Sequence, residues 1–214
     1  MFVLPDDLPL ELTPFAFLVG TWEGSGVISE RFRDDPASDQ ESVSHEFVQR
    51  IEFAHNGQNY LSYQSTAKIL DDSGLILPSE IGFWRLDRPV ELADAGPGLL
   101  PGRGESKLKT HDDLEQFRNE RGGFNISASI LHPTGISEHY VGQIKGARVD
   151  LQTQQGLVPA AIADELSPMK PYGYAERMYG SVESALLWVW EVREFGKPDA
   201  PLVPLASARL ERIA

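Results

Sequence analysis

Whatever chemistry this chain performs must come from histidines, carboxylates, hydroxyls and aromatic rings, because its 214 residues include no cysteine. Disulfides, thiolate metal sites and cysteine nucleophiles are therefore excluded. Five histidines are spread along the sequence. His132 and His139 flank one predicted hairpin and could approach each other, but a metal site needs further ligands that the neighbouring residues do not supply. His111 falls in a charged, loop-like stretch. His45 lies on a predicted strand whose pattern leaves its facing open, and His55 ends a strand beside a tight turn. The carboxylates Asp112, Asp113 and Glu183 sit in polar, turn-like segments and read as solvated. Familiar nucleotide and hydrolase signatures are missing. Gly24-Ser25-Gly26 meets Ser29 where a dinucleotide motif needs its third glycine, and Gly96-Pro97-Gly98 runs into Pro101. Neither ends in Gly-Lys-Ser/Thr, and no Gly-x-Ser-x-Gly elbow occurs.

The aromatic residues are more suggestive as a set. Trp22, Tyr60, Tyr63, Phe83, Trp84, Tyr140, Tyr179, Trp188 and Trp190 all fall on predicted strands. Core packing accounts for most of them. A barrel wide enough to carry them would also leave room for an apolar or planar ligand.

The elements that must position these residues follow from alternation and turns. Residues 1–14 read as an extended arm broken by Pro5, Pro9 and Pro14, and a single helical turn is expected over Pro14–Val19. A first strand from Gly20 carries glycines at 20, 24 and 26 around Trp22. Glycines inside a strand mark a bend or the close approach of another backbone. Strands follow over Val43–Phe53, Asn59–Leu70 and Ser79–Leu86, joined by turns at His55-Asn56-Gly57 and Asp71–Gly74. The Pro- and Gly-rich stretch from Asp87 to Gly123 reads as an elaborated loop. Alternation resumes over Asn125–Leu131, Ile136–Ile144 and Arg148–Gln154. A short helix or covering loop is expected at Leu157–Leu166, then strands at Tyr174–Val182, Leu186–Phe195 and Leu202–Ile213. About ten short strands joined by tight turns predict an all-β, antiparallel closed barrel.

Net charge is −13 and pI about 4.8. This acidity argues against phosphate-backbone recognition and against an anionic membrane surface. No apolar stretch reaches the length of a membrane span and no secretory signal is visible, so a cytoplasmic location is expected.

Gly20-x-Trp22-x-Gly24-x-Gly26 after Phe17-Leu18-Val19 resembles the opening signature of the nitrobindin family, haem-binding barrels related in shape to fatty-acid-binding proteins. The similarity continues in order through Ile51–Gly57, Tyr63–Thr66, Ser79–Phe83, His132–Glu138 and Pro201–Arg212. It spans the chain as a single domain apart from residues 91–121, which look inserted. The resemblance implies ferric haem, nitric oxide binding and isomerisation of peroxynitrite to nitrate. It also implies an iron-binding histidine in the last strand, where this chain has Leu205, and a second histidine where it has Pro78. Ile28 replaces a further glycine, and Glu30-Arg31 stands where Tyr-Pro is typical.

Leucine offers no lone pair to iron. The expectation is therefore a nitrobindin-like barrel without the axial histidine, binding a small apolar or amphipathic molecule without catalysis and needing no cofactor, haem b included. Thr21, His55, Trp84 and Leu205 are the candidates to line its cavity; no catalytic residue and no metal ligand is assigned. Neither nucleic acid nor membrane is expected as partner, and a homodimer is the oligomer considered. One alternative is a haem enzyme whose iron is held by His55, His139 or Tyr179. Another is a scaffold with a filled barrel and the 91–121 segment as contact surface.

Overall fold

The computed structural model describes residues 7–29, 43–157, 172–194 and 199–214. Period-2 alternation builds its strands. In β3 (Leu61–Ile69) the side chains of Leu61, Tyr63 and Ser65 are buried, while Ser62, Gln64 and Thr66 are exposed. Similar patterns give β1 (Gly20–Ser29), β2 (Ser44–Ala54), β4 (Ile76–Leu86), β5 (Phe124–Leu131) and β6 (Ser137–Lys145). The set is completed by β7 (Arg148–Leu157), β8 (Tyr172–Val182), β9 (Ala185–Glu194) and β10 (Val203–Arg212). The ten strands form a closed barrel, each antiparallel to its neighbours, in the order β1-β10-β9-β8-β7-β6-β5-β4-β3-β2. The expected fold class is the observed one.

Closure is made at the glycines. Gly24 lies opposite Leu210 and Gln49, and Gly26 opposite Ala208 and Phe47. A Cβ on Gly24 would overlap the Arg209 carbonyl oxygen, and one on Gly26 would meet the Ser207 carbonyl and the Phe47 ring. The first strand can lie this close to the last only because these positions carry no side chain.

One end of the barrel is capped. A 3-10 helix over Leu10–Phe15 lies across it, with Leu12 and Phe15 buried. This helix starts four residues before the expected turn. Pro9, with φ −55° and ψ 141°, is the residue that leads into it. Trp22 points into the barrel and donates its indole N–H to the Leu18 carbonyl at 2.7 Å. Arg212 lies over the Trp22 ring, 4.2 Å from its centroid, and donates to the carbonyls of Phe17 and Val19. Above this plug, Phe53, Tyr63, Trp84 and Tyr179 pack ring against ring at 5.2–6.3 Å, mostly edge to face.

The stretch from Asp87 to Gly123 is loop apart from the five-residue α1 (His111–Glu115). A capping box starts α1: the Thr110 hydroxyl accepts from the Asp113 N–H, and the Asp113 side chain accepts from the Thr110 N–H. Arg88 fastens the start of the loop. It bonds both Glu11 oxygens (2.7 and 2.8 Å) and both Asp94 oxygens (2.7 and 2.9 Å), joining loop to capping helix. Most of the segment expected as a helix or covering loop at Leu157–Leu166 lies outside the described residues.

Candidate functional site at the rim end

The end of the barrel away from the 3-10 helix, here termed the rim end, is built from the last residues of odd-numbered strands and the first of even-numbered ones. Its inward wall has an apolar side made by Ile28, Leu77, Trp190, Val203 and Leu205, all packed on the core, with Ala206 buried among them. Leu205 reaches this wall through a β-bulge. Pro204 pairs with Glu191 and Ala206 with Trp190, which leaves Leu205 as an extra residue between them. A bulge re-aims the side chain it inserts, and such irregularities favour barrel rims and binding sites. His45 belongs to the inward row of β2 that continues through the buried Phe47, Gln49, Ile51 and Phe53. It pairs across β1 with Ile28, which in turn pairs with Ala206.

Facing this wall is a buried ionic cluster. The Arg177 guanidinium donates to both Glu80 oxygens at 2.6 and 2.9 Å and to the Tyr140 hydroxyl at 3.1 Å. Tyr63 donates to Glu80 at 2.7 Å. Glu138 lies 3.8 Å from Arg177, and its Oε2 is 3.0 Å from His132 Nε2. His132 Nδ1 is 3.7 Å from Glu80, and its ring stacks on Trp190 with centroids 6.1 Å apart. Trp190 also carries the Arg177 guanidinium on its face at 4.4 Å. Glu138 is 2% exposed, and its Oε1 has no hydrogen-bond partner among the described residues.

The charges in this cluster hold each other in place. Burial pushes the Glu80 carboxyl up, but the charge and hydrogen bonds of Arg177 outweigh it and hold the group at about 2. Burial alone would lower the Arg177 guanidinium; the Glu80 carboxylate beside it raises it well above its ordinary value. Burial, reinforced by Glu80, raises the Tyr63 phenol well above 10, and burial likewise raises those of Tyr140 and Tyr179. All three stay neutral hydroxyls at physiological pH.

The structure separates the residues singled out from the sequence. Gly20, Trp22, Gly24 and Gly26 belong to closure and capping. Thr21 is covered by the chain after β10, its N–H donating to the Ala214 carbonyl and its own carbonyl accepting from Ile213. His55 is at the capped end, where Nδ1 accepts from Gly57 and Nε2 lies 4.0 Å from Asp7. Trp84 is sealed in the aromatic layer. Of the cavity candidates, only Leu205 is at the rim end. His132 and His139 point to opposite sides of the wall, His139 bonding Ser129 on the outside at 3.1 Å. Glu80, Glu138 and Arg177 were not among the candidates. Their one signal in the sequence is a charge at an inward position, as with Arg177 between the buried Ala175 and Tyr179.

A family model described as the THAP4-like, heme-binding beta-barrel domain matches residues 11–212. The chain belongs to this family, the nitrobindins. The peroxynitrite isomerase of Leifsonia xyli subsp. xyli is 44% identical over 212 residues, covering 99% of each chain. That of Clavibacter michiganensis subsp. michiganensis is 42% identical over the full length of both. The crystal structure of Rv2717c from M. tuberculosis superposes with a TM-score of 0.60 at 21% identity, covering 99% of this chain and all of that one, a likeness of fold. Membership corrects one expectation. The absence of a cofactor was inferred from two positions, Leu205 and Pro78, whereas the whole barrel, residues 11–212, is that of a heme-binding family.

Leu205 cannot ligate iron, but it forms part of an apolar wall suited to a macrocycle. Two imidazoles, His45 and His132, lie on inward rows at the same end. Both an apolar face and nitrogen donors are therefore present, and the residues fit a haem without a histidine at position 205.

Proposed function

We propose that this chain binds haem b at the rim end of its barrel and isomerises peroxynitrite to nitrate. The observation that carries the reading is an apolar wall and inward imidazoles facing one end of a family barrel. The names of the relatives, matched over essentially full length, supply the reaction. Ile28, Leu77, Val203, Leu205 and Ala206 would hold the macrocycle by burying it from water. An imidazole would hold the iron. Haem, when bound, supplies the iron centre on which peroxynitrite rearranges to nitrate, a reaction that neither gains nor loses atoms or electrons.

The chain's own task is then to keep the site fixed and largely dry. Arg177 and its two carboxylates hold Trp190 and His132 in a stack beside the wall. The neutral hydroxyls of Tyr63 and Tyr140 complete the cluster and place no further anion near an anionic substrate.

Titration of the purified protein with ferric haem, followed by absorbance, tests the binding. A Soret band saturating at one haem per chain, with faster peroxynitrite decay and greater nitrate yield, is the expected result. A protein that stays colourless while taking up a fluorescent fatty-acid probe would instead favour a binder of small amphipathic molecules, to which the apolar Leu205 is also suited.

A further inference from the structure

Trp84 was expected to line a cavity and instead sits in the aromatic layer, 0% exposed. Its indole N–H has no hydrogen-bond partner among the described residues. A buried donor left unpaired is costly. A phenylalanine ring, of which the chain has ten, would pack there without that cost. Such a group calls for a reason other than packing, and a redox role is one.

Trp84 belongs to a continuous series of oxidisable rings. Trp190, on the half-buried rim wall, and Trp188 are successive inward residues of β9, about 7 Å apart along the strand. The Trp188 ring is 6.3 Å from that of Tyr179, Tyr179 is 5.2 Å from Trp84, and Trp84 is 6.0 Å from Tyr63. Rings this close exchange an electron with no group between them.

The polar partners grade the series. The Arg177 guanidinium on the face of Trp190 disfavours a positive charge on that ring, so an electron vacancy formed at the rim moves inward. Trp188 donates to the Gln49 side-chain carbonyl at 2.8 Å, an amide too weakly basic to take its proton. Trp84 has no acceptor at all. Only Tyr63, at the far end of the series, donates to a carboxylate among the described residues, Glu80 at 2.7 Å. An oxidised phenol is a strong acid, and its proton crosses to such a carboxylate. The vacancy therefore settles on Tyr63.

We propose that this series is an electron relay by which the chain reduces nitrogen dioxide to nitrite at the rim end. Nitrogen dioxide is a radical released when the O–O bond of peroxynitrous acid breaks homolytically. One electron leaves Tyr63 and passes through Trp84, Tyr179 and Trp188 to Trp190, where nitrogen dioxide takes it up. The Tyr63 hydroxyl proton passes to Glu80, and the products are one nitrite and one neutral tyrosyl radical. The inference rests on peroxynitrite being the substrate at this end. It gives the barrel a second activity, removal of a radical that escapes isomerisation.

Pulse radiolysis of a nitrate solution supplies nitrogen dioxide to the full chain, with and without haem. Transient absorbance follows the protein radicals, and electron paramagnetic resonance of irradiated, frozen samples identifies them. A tryptophanyl signal should appear first and give way to a tyrosyl signal. Y63F should lower the tyrosyl yield at least fivefold and prolong the tryptophanyl signal. W84F should slow the tyrosyl rise at least tenfold, and Y60F, outside the series, should change neither. Circular dichroism verifies folding. Because a core variant can misfold, 3-fluorotyrosine placed at position 63 alone gives a second reading, in which fluorine splitting should mark the radical. An unchanged tyrosyl yield in Y63F, an unchanged rise in W84F or a signal without fluorine splitting overturns the relay. If the relay fails while the haem-loaded chain still speeds peroxynitrite decay, the reading of the site stands alone. A working relay in a chain that neither binds haem nor speeds that decay overturns the reading instead.

Discussion

At the capped end of the barrel, inward side chains meet fixed neighbours: Phe15 and Leu12 on the core, Trp22 on the Leu18 carbonyl, Arg212 on two more carbonyls. At the rim end the wall is half-buried, a bulge turns a leucine inward, and a charged cluster takes the place of a hydrocarbon plug. The capped end is arranged as ordinary core, in which apolar burial supplies the stability. The rim end carries a buried and a part-buried carboxylate, a guanidinium and an imidazole, an arrangement that seldom improves on hydrophobic packing. Placing such a cluster beside an apolar wall makes sense where a ligand is to be received, which is in keeping with the haem site proposed at that end.

The contrast can be broken by truncating one apolar residue at each end. Phe15→Ala should have the largest effect, destabilising the fold by about 3–5 kcal/mol because it empties a fully buried site. Chemical denaturation would measure it, and a loss below 1 kcal/mol would mean that the helix is not the plug described here. Acid should act next, at the rim end. The Glu80 carboxyl is held at about 2 in the folded chain against an ordinary 4.5. The unfolded chain therefore takes up its proton first. The stabilisation from this group is complete above about pH 4.5 and is lost as pH falls towards 2, by an amount of order 3 kcal/mol. A Glu80→Gln variant should show a flatter stability curve over that window; an unchanged slope would contradict the pairing with Arg177. Leu205→Ala should have the smallest effect, about 1 kcal/mol, since that side chain is only part-buried. A cost equal to that of Phe15→Ala would erase the distinction between the two ends.

How far each end could be read from sequence follows from its physics. Strands β2 and β3 are plain in the alternation of Phe47, Gln49, Ile51 and Phe53 and of Leu61, Tyr63 and Ser65, since a half-buried strand must show period 2. The glycines of β1 announced closure correctly because only a close backbone approach requires them. The capping helix was misplaced because two prolines could each begin it, and the choice of Pro9 over Pro14 depends on what the helix covers. The ionic cluster was not legible at all. Glu80 and Arg177 are 97 residues apart, and a charge on a strand reads as solvent-facing until closure shows what stands across the lumen. His45 was ambiguous for the same reason, its facing being settled by its partner Ile28 and by the buried row it heads. Leu205 packs on the core at the rim end, but with Pro78 it was given too much weight, as though two donor positions decided the cofactor of an entire barrel.

Joining the first strand to the last also has a consequence for how the chain is made. Trp22 and Gly24 have β2 partners at Ile51 and Gln49, but their other partners are Arg212 and Leu210. At ribosomal rates of about 5–20 residues per second, the roughly 190 residues between them take on the order of 10–40 s to emerge. Throughout that interval β1 presents a bare edge, a template for pairing with any other nascent strand. A growing polypeptide of this design stays vulnerable to aggregation until its final strand arrives, and its yield in a cell depends on shielding of β1 during synthesis.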